Sequence, residues 1–285
     1  MSTSKKSVNN DSKKEFTFNE NIKISLVNSL NKFFDVVVKV TNDMTSDNTD
    51  PIWFRGQREI RWALESSFHR KHKKISNLEL LLSKNITNFQ LESRHRIFQI
   101  QPAPNMVPDY DSKYQWLSIM QHLGSATCLL DWCEKATTAL FFAVGNYLDE
   151  TDKENVKLST PCVWLLNPKK LNKKIGYQWK NYNEIPTVLD IDKKYSKGRF
   201  IRKPLAFTSI KSTNRIDAQS GAFVAMPLTT KTALNLYDGA DEFLQIIALF
   251  DCKEIANSFK SIGFEMKDFY PDLVDSGRTM SVSEC

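Results

Sequence analysis

The chain has 285 residues, 41% of them hydrophobic with 18 Phe and 6 Trp, and a formal net charge of +6. That supplies the core of one large α+β unit and excludes global disorder. No apolar run approaches the roughly 18–20 residues that span a bilayer, and the polar start Met1-Ser-Thr-Ser-Lys-Lys6 has no apolar signal core, so a cytoplasmic protein without membrane contact is expected.

Residues 1–15 are polar and charged and read as a tail preceding a single domain over 16–285. Ile22, Leu26, Leu30, Phe33, Phe34 and Val37 recur at threes and fours, which predicts an amphipathic helix over 19–40 packed on the domain. Turn residues from Thr41 to Pro51 then give a loop. Ile52 to Gln57 is a short β-prone run ending in Arg55-Gly56-Gln57, where a glycine lets another group approach the backbone closely. Leu78, Leu81, Leu82, Ile86 and Phe89 predict a helix over 77–98, and the prolines between Gln101 and Pro108 break the chain. A helix from Tyr114 delivers Gln121 and His122.

The stretch from Gln121 to Ala143 mixes chemistry with core. Gln121, His122, Thr127 and Asp131 are set into an otherwise apolar run, and a helical segment follows with Ala139, Phe142 and Ala143 on one side. Four buried polar groups at about 1–3 kcal/mol each, if unpaired, require partners in protein, water or ligand.

Pro161 to Leu166 is a buried-strand candidate. Residues 169–203 are rich in Lys, Asn and Tyr and read as loops with short helices, a solvated face that could also carry a polyanion. Leu205–Ile210, Ala222–Pro227 and Phe243–Phe250 read as strands, a helix follows from Lys253 to Ile262, and Phe269 to Val274 closes the ordered part. Strands and helices mix without regular βαβ alternation, so the fold class is α+β.

Five scattered cysteines without Cys-x-x-Cys spacing argue for reduced thiols, and His69-x-x-His72 lies in a basic run, so no metal is expected. The net charge permits a nucleic-acid contact and establishes none.

Four blocks resemble the FRG domain family: Trp53-Phe-Arg-Gly-Gln57 with Trp62-x-Leu-x-Ser-Ser67 and Arg70; Gln121-His-Leu-Gly-Ser-Ala-Thr-Cys-Leu-Leu-Asp-Trp132 with Ala139-Leu-Phe-Phe-Ala143; Arg215-Ile-x-Ala-Gln-x-Gly-x-Phe223; and Phe269-Tyr-Pro-Asp-Leu273. The resemblance implies a bacterial setting in mobile elements, anti-phage defence or toxins, with an antitoxin or operon partner. More distantly, Phe54-Arg55-Gly56-Gln57 is similar to the opening motif of ADP-ribosyltransferases. That implies a split or strongly bent sheet flanked by helices, NAD as a substrate, and a protein or nucleic-acid target. Under this likeness Arg55, Gly56, Gln57, Gln121, Thr127 and Ser209 of Phe207-Thr-Ser209 hold the dinucleotide, while His122 and Gln219 or Glu242 face the ribose. No Glu-x-Glu motif accompanies Gln219 or Glu242. An NAD-consuming transferase or glycohydrolase and a non-catalytic nucleotide- or nucleic-acid-binding module therefore both stand, beside a third reading in which the polar quartet is a structural network. For Asp131, a buried bridge to Arg55 or Arg70 is favoured over direct chemistry.

Overall fold

A computed structural model of the protein describes residues 19–45, 50–93, 108–148, 159–174, 184–195, 199–209 and 221–264. Its strands are β1 (Ile24–Val27), β2 (Trp53–Gln57), β3 (Leu129–Cys133), β4 (Cys162–Leu166), β5 (Leu205–Thr208), β6 (Gly221–Ala225) and β7 (Leu244–Leu249). The helices are α1 (Leu30–Met44), α2 (Ser67–Lys71), α3 (Leu78–Ser93), α4 (Lys113–His122), α5 (Ala136–Leu148), α6 (Pro168–Lys174), α7 (Val188–Lys194) and α8 (Cys252–Ser261).

The strands form one mixed sheet in the order β1-β7-β4-β2-β3-β6-β5, parallel only between β1 and β7. The architecture is α+β.

Strand alternation sorts the core into three clusters. On one face, Phe54, Cys133, Val163, Leu165, Ile247 and Leu249 pack with α1, α5 and α8. Further along the same face, Leu129, Leu205, Phe207, Phe223 and Ala225 pack with α2, α3, α4 and α7. On the other face, Trp53, Trp132, Trp164, Val224 and Ile246 pack against Leu64, Leu171, Leu234 and Phe243. Asp131 falls between the first two clusters, with Leu129 in one and Cys133 in the other.

β2 and β3 meet at a single register pair, Phe54 with Cys133, whereas β2 follows β4 from Trp53–Leu166 through Gln57–Cys162. The sheet is loosest in its middle.

The helix expected over 19–40 is corrected. Residues 24–27 are an edge strand on β7, and α1 begins at Leu30 with Ser29 accepting from the Lys32 N–H at 3.3 Å. Leu26, which completed the helical spacing, is 62% exposed. Asn28-Ser29 ends the strand and caps the helix, since a serine oxygen satisfies an N–H the first turn leaves open. The helix expected over 77–98 is described as α3 up to Ser93, and the segment closing at 269–274 lies outside the described residues.

Candidate functional site

β2 sends its residues in alternate directions. Phe54 enters the core, and Gly56 lies against the backbone of α5, where a Cβ would stand 1.9 Å from Ala139 O and 2.7 Å from Ala143 N. Gly56 is thus the contact that admits α5 to the sheet. On the opposite side Gln57, buried, accepts from Trp164 Nε1 at 2.8 Å. Between them Arg55 is flanked in register by Trp164 on β4, and by Trp132 next to the Phe54–Cys133 pair.

The Arg55 guanidinium lies where β2 and β3 part. Its Nη1 donates to the backbone oxygen of Asp131 at 2.7 Å and stands 3.9 Å from Asp131 Oδ2. Its Nε–H is buried with no partner among the described residues. The Nε1 groups of Trp53 and Trp132, on the same two strands, are likewise buried and unpartnered among the described residues. All three are donors. Burial pulls the Arg55 guanidinium below its ordinary value; the Asp131 carboxylate opposes that, and the neighbouring Arg70 charge adds to it.

Of the buried bridge expected from Asp131 to Arg55 or Arg70, the pairing with Arg55 is present at 3.9 Å, but it is not buried at the carboxylate. Asp131 is 55% exposed at its side chain, although the other four residues of β3 are buried. Its carboxylate is held by Gln121, whose Nε2 donates to Oδ2 at 2.7 Å. The Gln121 Oε1 accepts from the Thr127 hydroxyl, and Thr127 Oγ1 in turn accepts from the Leu129 N–H at 3.1 Å. Thr127 is fully buried and is pinned by α2, where Ser67 Oγ accepts from the Thr127 N–H at 3.3 Å and the Phe68 N–H donates to the Thr127 carbonyl at 3.1 Å. Turn, helix end and strand therefore converge on one carboxylate.

The structure brings Arg55, Gln121, Thr127 and Asp131 together. His122, the last residue of α4, is half-buried beside Gln121. Ser209 follows the edge strand β5, three strand spacings or about 14 Å from β2. Glu242 precedes β7, on the far side of β4, and pairs with Lys174 Nζ at 2.5 Å. Gln219 lies outside the described residues. Among the described residues no group of three or more His, Cys, Asp or Glu could hold a metal. Burial pushes the thiols of Cys128 and Cys133 up to about 12, so neither is a thiolate near neutral pH.

Sequence reasoning missed that Asp131 opens to solvent. The available signal was a charged residue within Leu129-Leu130-Asp131-Trp132-Cys133 whose alternation puts it on one face with Leu129 and Cys133.

Residues 50–152, which carry Arg55, Gln121, Thr127 and Asp131, match the FRG domain family. The chain carries an FRG domain. The match ends before β4, so β4 to β7 and their helices lie beyond it. No curated protein and no solved structure matches the chain. Within the FRG domain the Phe54-Arg55-Gly56 tripeptide is divided between core, polar centre and helix contact.

Proposed function

We propose that this FRG-domain protein binds NAD, or a dinucleotide of the same chemistry, at Arg55 and breaks its nicotinamide–ribose bond beside Asp131. The observation that carries the reading is the state of Arg55. One Nη1–H goes to a backbone oxygen, while the Nε–H is left buried without an acceptor among the described residues. A buried donor left unmade costs about 1–3 kcal/mol, which an acceptor-rich ligand recovers on binding. A guanidinium edge matches the oxygens of a phosphate, and a pyrophosphate supplies several.

The Asp131 carboxylate stands beside that cation. Departure of nicotinamide builds positive charge on the ribose, and a fixed carboxylate lowers the cost of that charge. The ADP-ribosyl group then passes to water or to a protein or nucleic-acid acceptor. An ADP-ribosyltransferase-like arrangement agrees with the parting of β2 from β3. The setting we attach is a cytoplasmic bacterial defence or toxin effector, held in check by an operon partner.

A non-catalytic nucleotide-binding module is the second reading, and the pairing of Glu242 with Lys174 favours it, because that acid is engaged away from Arg55. Incubating the pure chain with NAD and measuring free nicotinamide decides between them. Release that is lost in Arg55→Ala supports the enzyme. NAD binding without release supports the module, and neither binding nor release refutes both.

A further inference from the structure

We infer that Asp131 is the residue that acts at the ribose, and that Gln121 and Thr127 are positioning residues that aim it; the inference rests on the dinucleotide reading above.

A carboxylate present only to neutralise Arg55 would meet the guanidinium directly, at about 2.7–2.9 Å. Asp131 does not. Arg55 bonds its backbone oxygen at 2.7 Å, and the nearer carboxylate oxygen stays 3.9 Å away. The carboxylate instead receives one hydrogen bond, from Gln121 to Oδ2. Oδ1 receives none among the described residues, on a side chain 55% exposed.

The groups behind Gln121 have a single orientation. Thr127 Oγ1 accepts from the Leu129 N–H, so its own proton is directed to Gln121 Oε1. That fixes the amide, and its Nε2–H must face Asp131. Gln121 has both ends of its amide engaged. Asp131 is where the relay ends.

In the step proposed, the bond between nicotinamide N1 and ribose C1′ breaks and its electron pair leaves with nicotinamide. A water oxygen bonds to C1′, and the water proton passes to Asp131 Oδ1, to be lost later to solvent. NAD and water become ADP-ribose, nicotinamide and a proton. General-base help of this kind is worth about 10²–10⁴-fold in rate.

The test compares wild type with Asp131→Asn, Asp131→Glu and Gln121→Ala for nicotinamide release, NAD affinity by calorimetry, melting temperature and pH profile. Asp131→Asn is expected to lower kcat by at least about 10²-fold with NAD affinity within threefold of wild type. Asp131→Glu should recover part of the rate. Gln121→Ala should lower kcat about tenfold at unchanged KM and move the acidic limb of the profile, which a merely structural tie would leave in place. If Asp131→Asn fails to fold, Asp131→Glu and Gln121→Ala carry the comparison. Equal turnover by wild type and the variants overturns the role of Asp131 and leaves the dinucleotide reading standing. A wild type that binds NAD without releasing nicotinamide overturns catalysis by Asp131. One that does neither overturns the dinucleotide reading as well.

Discussion

Gly56→Ala separates a glycine that admits a helix from one that admits a ligand. The added Cβ would meet Ala139 O at 1.9 Å, Ala143 N at 2.7 Å and the Ala139 carbonyl carbon at 3.0 Å, all backbone atoms of α5. Ordinary contact begins near 3.5 Å, so strand or helix must move by about 1.5 Å. Neither is loose. β2 is hydrogen-bonded along its length to β4, and α5 buries Ala139, Leu140, Phe141, Ala143 and Val144. Overpacking against rigid atoms lies at or above the upper end of the usual penalty of about 1–3 kcal/mol. For a domain of this size that lowers the melting temperature by about 6–12 °C. Thermal unfolding followed by circular dichroism reads this directly. A Gly56→Ala protein melting within about 2 °C of wild type refutes the helix contact, and loss of NAD binding in such a protein would return the glycine to the ligand.

Arg55→Lys keeps the charge but loses the planar fork, so NAD affinity should fall about tenfold or more by calorimetry, with little change in melting temperature. Asp192 is buried and accepts from the Tyr114 and Gln115 N–H groups at 2.7 and 3.0 Å, capping α4 from a distant part of the chain. Asp192→Ala should cost about 0.5–2 kcal/mol in a denaturant titration. Burial lowers the His69 pKa, and the neutral ring links Ser66 Oγ to the Pro227 carbonyl. The unfolded chain takes up that proton near pH 6.5 while the folded one does not, so stability is complete above about 6.5 and declines as pH falls towards the lower folded value. His69→Gln should flatten that decline in melting temperature measured between pH 7 and 5.

Much of the fold was legible because short apolar runs with clear punctuation left few alternatives. Residues 161–166 and 243–250 contain β4 and β7, and the helix from Lys253 is α8. β1 was hidden because Ile22, Leu26 and Leu30 keep a helical spacing while belonging to a loop, an edge strand and a helix start. The sheet order could not be read at all, since β1 joins β7 and β2 lies between β4 and β3 across long stretches of chain. In the site, the polar residues of 121–131 were visible as a group, and their need for partners follows from burial alone. Which partner each takes was not visible. That Arg55 would bond the Asp131 backbone and leave the carboxylate to Gln121 depends on the separation of two neighbouring strands, and no local pattern reports it.

That separation explains why the tripeptide works as a unit. Phe54 holds β2 to β3 at their one register pair and enters the core. One residue on, Gly56 brings α5 down on the sheet, so β2 is fixed from above just where its pairing to β3 has ended. Arg55 lies between these two anchors, and its guanidinium takes the place of the missing strand contact by bonding the Asp131 carbonyl. An alanine at 56 would push α5 away, a polar residue at 54 would unseat the strand, and either would move the arginine. Charge, core and helix contact are therefore coupled within three consecutive positions. The placement of Asp131 depends on the same strand junction, because the backbone atom Arg55 grips belongs to the residue whose side chain Gln121 aims.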